Sequence, residues 1–572
     1  MAQKPFRIGV NMAGAVSAGA YTAGVLDFLI EALDDWYDAK EKFSKGQGNP
    51  VPMHDISLDV FSGASAGGMC AAIASVMVQG EFAHIHDTSL KNTTNRFYES
   101  WVNKIDIREL LKQEDLKDGG PVASLLDCTI IDEIAEFALQ PGTPKKRVYI
   151  SPNLTLFLTL TNLTGIPYAL DDNGPVEEST LYYPDRLRFE TVRPGNPTTT
   201  PVAKPLPLGR PDQGAWGLLR ETAKATGAFP IFLAPRMLER EKLDYQRPMW
   251  QSVNPAANQN APAILPAGWK TIPEMFNTIN VDGGVMDNDP FDLAHDYLAS
   301  FSSRPEDAQK NQNPRDPIEA EAAVLTVVPF PSSGTPNFSP NFVDSAAVPA
   351  ALGSLVSAVI AQSRFFGESL ALIAQGSGFS RFTIAPSDDS LPPGVPSLQC
   401  ASLGAFGGFF ERKFRAHDYL LGRRNCQLFL QKHFVLPARN PIMKDALGTL
   451  DGKQSDVIGK FKVSPPKGGG ALQNEPWLPL IPLCSKAVTG EAPKPPRAQI
   501  GEFAVSEVVT LIYERARAVI PALGKDIAAW PIRAGIDNIV NLIGLLGLGK
   551  NKLTEYLLAQ LNDQANSSPS VH

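Results

Sequence analysis

Residues 61–68 read Phe-Ser-Gly-Ala-Ser-Ala-Gly-Gly and contain the pattern Gly63-x-Ser65-x-Gly67. The apolar run 56–61 is typical of a strand, and the small residues that follow the pattern are typical of a helix. A serine on a sharp strand-to-helix turn projects from the end of a sheet, and glycines on either side remove side chains that would collide there. The pattern predicts that Ser65 is a nucleophile, although a serine that merely caps a helix would also fit it.

A serine nucleophile needs a base, and Asp282 is the strongest carboxylate candidate. Residues 279–285 read Ile-Asn-Val-Asp-Gly-Gly-Val, so an apolar strand ends at Asp282 and a glycine turn follows. In a dry pocket a carboxylate binds protons more tightly and can act directly as the general base of a serine. An ordinary Asp-Gly turn would give the same pattern, so the residues alone leave both interpretations open.

A histidine base, as in α/β-hydrolases, would have to follow the serine along the chain. The seven histidines are His54, His84, His86, His295, His417, His433 and His572. None lies in an evident catalytic loop, and a histidine inside a helix more often has a packing role. The pair His84 and His86 lacks the spacing and the further ligand of a metal site, and Asp287 with Asp289 falls short of a calcium loop. The sequence predicts no metal ion and no cofactor.

The composition is that of an ordinary soluble globular protein. The chain has 572 residues, of which 43% are hydrophobic and 20% charged, and its formal net charge of −8 argues against a nucleic-acid-binding protein. The five cysteines are scattered and form no CxxC pair, which fits a reducing compartment. The N-terminus carries no apolar signal core. We expect a cytoplasmic location, with peripheral contact at a membrane surface left open and the oligomeric state undetermined.

Strand-like and helix-like runs alternate along the front of the chain, as at 6–11, 56–61, 154–163 and 324–328 for the strands. This alternation predicts an α/β fold with a mostly parallel central sheet. Prolines and glycines concentrate at 464–496, which suggests a linker. We therefore predict a catalytic domain over 1–460, a Pro/Gly-rich linker over 461–499 and a mainly helical C-terminal region over 500–572.

No segment is a convincing transmembrane helix. The nearest is the uncharged run 345–363, whose large apolar residues follow helical spacing and indicate an amphipathic helix that faces the core or a membrane. The run 536–548 is too short to span a bilayer. Three segments are candidates to line or gate an apolar groove, or else belong to the core: the run 345–363, the pair Phe365-Phe366 and the cluster 406–410.

Four blocks of the sequence, taken in order, resemble the patatin-like phospholipases. They are the N-terminal strand and loop 8–19 with the helix that follows it, the elbow 63–67, the small-residue segment 223–230 ending in Phe-Pro, and Asp282-Gly283-Gly284 with Asn288 and Pro290 beyond it. The resemblance covers residues 6–290 and implies a three-layer sandwich in which Ser65 is the nucleophile and Asp282 the base of a Ser-Asp dyad.

The resemblance also implies an oxyanion hole built from the backbone N–H groups of Gly14, Ala15 and Val16. Many members of the family carry three successive glycines and a basic residue in this loop, whereas here only Gly14 and Gly19 remain and no Lys or Arg is present. Backbone donors need no particular side chain, so the hole can persist if the new residues tolerate the φ angles. Ser17 in the same loop lacks the elbow spacing and is not expected to be a nucleophile.

The implied activity is hydrolysis of carboxylic esters of lipids, of the phospholipase A type, through an acyl-enzyme on Ser65. A lipid or phospholipid is the expected substrate. Three alternatives stay open at this point: a His-dependent α/β-hydrolase-type esterase, a catalytically silent lipid-binding or scaffold protein with the same fold, and an acyltransferase that uses the same acyl-enzyme.

Overall fold

The computed structural model describes residues 4–87, 90–117, 119–170, 178–259, 264–331, 363, 378–392, 395–466, 472–527 and 550–562. The strands are β1 (Phe6–Met12), β2 (Ile56–Gly63), β3 (Ile150–Leu170), β4 (Glu178–Val192), β5 (Lys204–Pro207), β6 (Arg236–Glu241), β7 (Met275–Asp282), β8 (Ala322–Val327), β9 (Arg381–Ile384), β10 (Val435–Pro437) and β11 (Trp477–Pro479).

The α-helices are α1 (Gly19–Ser44), α2 (Ser65–Met77), α3 (Arg96–Tyr98), α4 (Ile107–Leu110), α5 (Thr129–Ala138), α6 (Trp216–Thr226), α7 (Phe291–Ala299), α8 (Pro305–Gln309), α9 (Gly407–Phe410), α10 (Arg412–Lys432), α11 (Pro441–Gly448), α12 (Gln454–Phe461), α13 (Lys486–Thr489), α14 (Glu502–Ile527) and α15 (Lys550–Asn562). Short 3-10 turns occupy Val16–Ala18, Glu114–Leu116, Lys242–Tyr245, Trp269–Thr271, Gly283–Val285 and Gln399–Ala401, and a π turn occupies Glu99–Lys104.

The central sheet has the strand order β5-β4-β3-β2-β1-β8-β9, and β7 joins it by pairing with both β3 and β6. Within the run β3-β2-β1-β8-β9, every adjacent pair of strands is parallel. The pairs β3–β4, β3–β7 and β6–β7 are antiparallel. Because the carboxyl ends of the parallel strands meet at one edge, residues that follow β1 and β2 come together there.

Helices cover both faces of this sheet, and successive strand residues alternate between them. On β2, Phe61 packs into the large cluster that contains α1 and α2, whereas Val60 packs against α7 on the other face. On β8, Leu325 packs into the same large cluster as Phe61, and Val324 packs on the other face with Val60. The chain therefore forms an α/β three-layer sandwich with a mostly parallel sheet, followed by a mainly helical C-terminal region that contains α14 and α15, as the sequence predicts.

The long helix α1 packs against α10 through two glycine contacts. A Cβ atom on Gly24 would lie 1.9 Å from the carbonyl oxygen of Tyr419, and one on Gly422 would lie 2.2 Å from that of Tyr21. By length and composition the run Val16–Ser44 could cross a bilayer, but 94% of its most apolar window is buried inside the protein. Among the described residues, no other helix is long and apolar enough to cross a bilayer. The burial of this run is that of a core helix.

Two regions differ from the sequence-based expectation. The Pro-rich stretch 165–214, in which one strand at 187–189 is predicted, instead carries the end of β3, all of β4 and β5. The predicted linker 461–499 contains β11, which pairs with β10, and Trp477 is fully buried. Its prolines flank a short apolar run that enters the core, so the described part of this segment is packed and not an exposed connection.

Several predictions on apolar segments fall outside the described residues. They concern the amphipathic run 345–363, of which Ser363 alone is described, the pair Phe365-Phe366 and the run 536–548.

Candidate active site

Ser65 occupies the sharp turn between β2 and α2, at the carboxyl edge of the sheet. Its φ angle is +52°, in the left-handed region that non-glycine residues seldom adopt. A Cβ atom on Gly63 would lie 2.7 Å from the backbone of Gly67, and one on Gly67 would lie 2.1 Å from the carbonyl oxygen of Met12. Both glycines of the predicted elbow are thus required by close backbone approaches, and the strain at Ser65 is of the kind that clusters at functional sites.

Ser65 and Asp282, which are 217 positions apart in the chain, are in direct contact. The Ser65 hydroxyl donates a hydrogen bond to Oδ2 of Asp282, with an Oγ–Oδ2 distance of 2.6 Å. The other carboxylate oxygen, Oδ1, accepts the N–H of Gly284 at 2.7 Å. Both side chains are buried, with exposures of 7% and 3%. The carboxylate is held by one backbone donor and aimed at the hydroxyl, which is the arrangement that a general base for a serine requires.

The backbone of Asp282 is fixed by three neighbours. Residue 282 is the last of β7, where it pairs with Leu160 of β3. Its N–H donates to the carbonyl oxygen of Ala228 at 3.0 Å, and its own carbonyl oxygen accepts the hydroxyl of Thr161 at 2.8 Å. A Cβ atom on Gly283 would lie 2.2 Å from the carbonyl oxygen of Thr159. The glycine after the aspartate is needed because the turn lies directly against β3.

Burial raises the pKa of Asp282 to about 7, against the opposing effect of the hydrogen bonds from Ser65 and Gly284, which favour the charged form. A carboxylate in this range is a much stronger base than an exposed aspartate, and it is still ionised in a large fraction of molecules at neutral pH. The site therefore combines a base of suitable strength with a hydroxyl already within hydrogen-bond distance.

Thr226, for which the sequence predicts no role, contacts Ser65 directly. Its Oγ1 accepts the backbone N–H of Ser65 at 2.9 Å, and its side chain would also contact a Cβ on Gly68. Thr226 is fully buried at the end of α6. The one signal for it in the sequence is its place within the small-residue block 223–230. It secures the strained turn at Ser65 from the neighbouring helix.

The loop after β1 lies beside Ser65, but its first predicted donor is engaged elsewhere. The Gly14 N–H donates to the carbonyl oxygen of Asn288 at 3.0 Å, so it does not point to a free oxyanion position as the sequence suggested. A Cβ atom on Gly14 would lie 2.1 Å from Oδ1 of Asn288. Among the described residues, the N–H groups of Ala15 and Val16 have no such backbone acceptor. Val16 has a φ of +47°, a strained value for a β-branched residue.

Ser17 is buried and its hydroxyl is used to anchor another loop. Its Oγ donates to the carbonyl oxygen of Ala405 and accepts the N–H of Gly408 at 3.1 Å, and its N–H also donates to Ala405 at 3.2 Å. The residue after Val16 thus fixes the 403–410 segment from the C-terminal half of the chain. Leu403 and Ala405 in this segment have φ angles of +52° and +73°.

Ser65 and Asp282 line an apolar pocket whose empty space, including the part open to solvent, is about 740 Å³. Its walls come from α2, α4, α5 and the segments around 227–233 and 406–409. Phe406 packs its ring against Phe229 and Phe232, at centroid distances of 5.9 and 5.2 Å, and Phe409 also lines the space. Within the part of the chain that the structure describes, the predicted cluster 406–410 therefore contributes to the wall of the pocket.

The described histidines lie away from Ser65, and no histidine lines the pocket within the described residues. His54 contacts the carbonyl oxygen of Leu480. His84, His86, His295 and His417 face the carboxylates of Asp27, Glu31, Asp296 and Asp418, and His433 packs on the ring of Phe429. His572 lies outside the described residues. The geometry brings a carboxylate, and no described histidine, to the serine.

Comparisons with known proteins agree with the sequence blocks. The model of the family described as patatin-like phospholipase matches residues 11–295. An uncharacterized protein of Sinorhizobium fredii, y4iI, is 31% identical over 601 residues, covering 96% of this chain and 80% of that protein. The crystal structure of VipD from Legionella pneumophila matches over 97% of this chain and 91% of that one, at 12% identity and a TM-score of 0.20, too low for any correspondence to be drawn. The chain belongs to the patatin-like phospholipase family.

Proposed function

We propose that the protein hydrolyses carboxylic esters of lipids through a Ser65–Asp282 dyad and an acyl-enzyme intermediate. Family membership supports lipid acyl hydrolysis in the broad sense. The observation that carries the finer proposal is the 2.6 Å hydrogen bond from Ser65 Oγ to a buried carboxylate, at the mouth of an apolar pocket.

In the first step the Ser65 hydroxyl transfers its proton to Asp282 while Oγ forms a bond to the ester carbonyl carbon. The carbonyl oxygen becomes an oxyanion, for which we propose the N–H groups of Ala15, Val16 and Ala66 as donors, since Ala66 follows the nucleophile at the start of α2. One such donor is worth about 3 kcal/mol in comparable sites. The carbon–oxygen bond to the alcohol then breaks, and the alcohol leaves with the proton from Asp282.

In the second step Asp282 accepts a proton from water, and the hydroxide adds to the carbonyl carbon of the acyl-enzyme. The bond to Ser65 Oγ breaks, the fatty acid leaves, and Ser65 takes back the proton. Both steps use the same carboxylate, whose pKa of about 7 allows it to accept a proton and then release it at neutral pH.

The pocket favours an acyl chain over a polar substrate. Apart from Ser65, Asp282 and Ser100, its lining consists of apolar side chains, alanine and glycine. Such walls stabilise a buried hydrocarbon by roughly 0.8 kcal/mol per CH₂ group and offer no partners to a sugar or a peptide.

The proposal is tested by fluorophosphonate labelling together with hydrolysis of a lipid panel. We expect the full chain to be labelled at Ser65 and to release fatty acid from at least one lipid class. Ser65→Ala abolishes both, on the order of 10⁴-fold or more in kcat. The matched control is Ser75→Ala, which removes a buried hydroxyl from the same helix, α2, outside the pocket lining and leaves Ser65 labelling in place. Folded wild-type protein that takes no label and releases no fatty acid would refute the proposal and favour a silent scaffold.

The acyl-chain preference is expected to follow the α5 wall of the pocket. Ile134 lines the pocket and is partly buried, so Ile134→Trp fills part of the space where the chain would lie. We compare kcat/KM for a dodecanoyl ester with kcat/KM for a butanoyl ester. We expect the ratio of the first to the second to fall at least about tenfold, because a few CH₂ groups of the longer chain lose their contacts with the pocket.

The control for this change is Glu133→Trp, the same substitution on the adjacent, exposed position of α5. It should leave the chain-length ratio unchanged. An unaltered ratio in Ile134→Trp with normal labelling of Ser65 would place the acyl chain elsewhere.

A further inference from the structure

A second cleft lies at the opposite edge of the sheet from Ser65. It encloses about 1740 Å³, including space open to solvent, between the segment 139–152 and the segments that follow β4 and β5. Ile150 lines it and pairs with Leu58, whereas Leu158 pairs with Gly63 at the elbow. The same span on β2 covers the five steps from Leu58 to Gly63, so at about 3.3 Å per residue this part of the cleft lies about 17 Å from the elbow.

The charged residues that line this cleft are all basic. They are Lys145, Lys146, Arg147, Arg193 and Arg210. Lys145 and Arg147 pair with Asp34 behind the wall, at 2.8 and 3.0 Å. The other three have no ion pair with any described residue. In a chain whose formal net charge is −8, a cleft with this surplus of cations is a local exception, and it creates a positive potential that attracts anions.

Arg147 gives the cleft a rigid wall. Its side chain is 2% exposed, and besides Asp34 it donates to the carbonyl oxygens of Val78 and Gly80, at 3.0 and 2.9 Å, just beyond the end of α2. The wall is therefore preorganised, which reduces the ordering cost of binding. The same helix begins at Ser65, so the two sites share one structural element.

The cleft also offers apolar surface to its ligand. Val148, which follows Arg147 in the chain, is 68% exposed, and the partly exposed Leu208 also lines the cleft. Cations beside uncovered apolar side chains match a molecule with an anionic group and a hydrocarbon part. Two of the unpaired cations are arginines, whose planar, forked donors fit the oxygens of a phosphate.

We propose that this cleft binds a phosphate monoester attached to an apolar body. The phosphate lies among Lys146, Arg193 and Arg210, and the hydrocarbon lies along Val148 and Leu208. The site is separate from the acyl pocket and does not depend on the hydrolytic activity. A free amphiphile and a lipid with a phosphate monoester headgroup share this chemistry.

Calorimetric titration of the full chain carrying Ser65→Ala with dodecyl phosphate tests the proposal without turnover. We expect saturable binding that inorganic phosphate competes and that dodecyl maltoside, with the same chain and no charge, does not. Arg193→Glu with Arg210→Glu should weaken dodecyl phosphate binding at least about tenfold, since two charge-assisted contacts to the phosphate are lost and replaced by repulsion. Arg247→Glu with Lys444→Glu, the same charge change at exposed cations outside the cleft, should leave binding unchanged.

The source of the ligand is distinguished by sedimentation with phosphatidylcholine vesicles that contain or lack phosphatidic acid. If the protein binds the phosphatidic acid vesicles and the Arg193→Glu/Arg210→Glu substitutions abolish that binding, the ligand of the cleft is a membrane lipid. If the protein binds dodecyl phosphate but not these vesicles, the ligand is a free amphiphile. Two results would overturn the proposal, because each places the amphiphile in another site. One is that the Arg193/Arg210 variant and the Arg247/Lys444 variant bind dodecyl phosphate with equal affinity. The other is that Ile134→Trp abolishes this binding. Thermal unfolding checks that the exposed substitutions leave the fold intact.

Discussion

Asp282→Asn lowers kcat for ester hydrolysis by about 10³-fold, the contribution expected of a positioned general base. Asparagine keeps the size of the side chain and can still accept the Gly284 N–H, but it cannot take the proton of Ser65. In the wild-type protein kcat/KM rises about tenfold per pH unit up to pH 7 and then levels off, because the carboxylate with a pKa of about 7 must be ionised. The variant loses this rise.

The same substitution should stabilise the fold at alkaline pH. Asp282 has a pKa raised from 3.8 to about 7, so the folded state keeps a proton that the unfolded state releases, and stability falls as pH rises through this window. Above pH 7 the buried, ionised Asp282 lowers the free energy of unfolding by about 4 kcal/mol, and the uncharged asparagine removes this loss. Urea unfolding at pH 8 and pH 4 measures the effect, which should be large at pH 8 and small at pH 4.

The matched control is Asp59→Asn. Asp59 is a buried carboxylate in the first half of β2, six residues before Ser65. Burial also raises its pKa, but it contacts Arg7 and Ser57. The Asp59→Asn substitution should leave kcat and the pH profile of kcat/KM unchanged. Wild-type activity in Asp282→Asn, with every histidine intact, would eliminate the dyad and reopen a histidine-dependent esterase.

Gly67→Ala has the second large expected effect, on both the fold and the site. The added methyl would lie 2.1 Å from the carbonyl oxygen of Met12 and 2.8 Å from that of Ala13, and backbone atoms cannot move aside as a flexible side chain can. The loop after β1 and the start of α2 must separate, which displaces the proposed oxyanion donors from Ser65. We expect a loss of about 3 kcal/mol in the free energy of unfolding and about 100-fold or more in kcat/KM.

Gly217→Ala is the control for this result. Gly217 lies in α6, and nothing is within 4 Å of an added Cβ. Alanine there should stabilise the protein by about 0.5–1 kcal/mol, because it restricts the unfolded chain and favours the helix. The rate of fluorophosphonate labelling and the urea midpoint compare the two variants; labelling of Gly67→Ala at the wild-type rate would contradict the close approach at the elbow.

The turn at Ser65 could be predicted from the sequence because its requirements are local. A strand, two glycines around a serine and a small-residue helix are all encoded within about 25 residues. Asp282 was harder, since an Asp-Gly turn is common and its approach to Ser65 depends on the pairing of β7 with β3. The resemblance to a family supplied what the residues alone left open.

Other parts of the site depend on contacts that no local pattern contains. The hydrogen bond from Gly14 to Asn288 and the acceptor role of Thr226 arise where distant loops meet. Phe406 reaches the acyl pocket from the C-terminal half because Ser17 holds its loop. The described part of the predicted linker enters the core because Trp477 is apolar, and this outweighs the prolines around it.

The packing of α1 against α10 has a consequence for biosynthesis. At 5–20 residues per second, α10 leaves the ribosome about 20–80 s after α1, because about 390 residues separate the starts of the two helices. During that interval the apolar surface of α1 that later packs on α10 around Gly24 and Gly422 lacks this partner. The wall around Phe406 is translated in the same late portion, so the pocket beside Ser65 is complete only after more than 400 of the 572 residues have been synthesised.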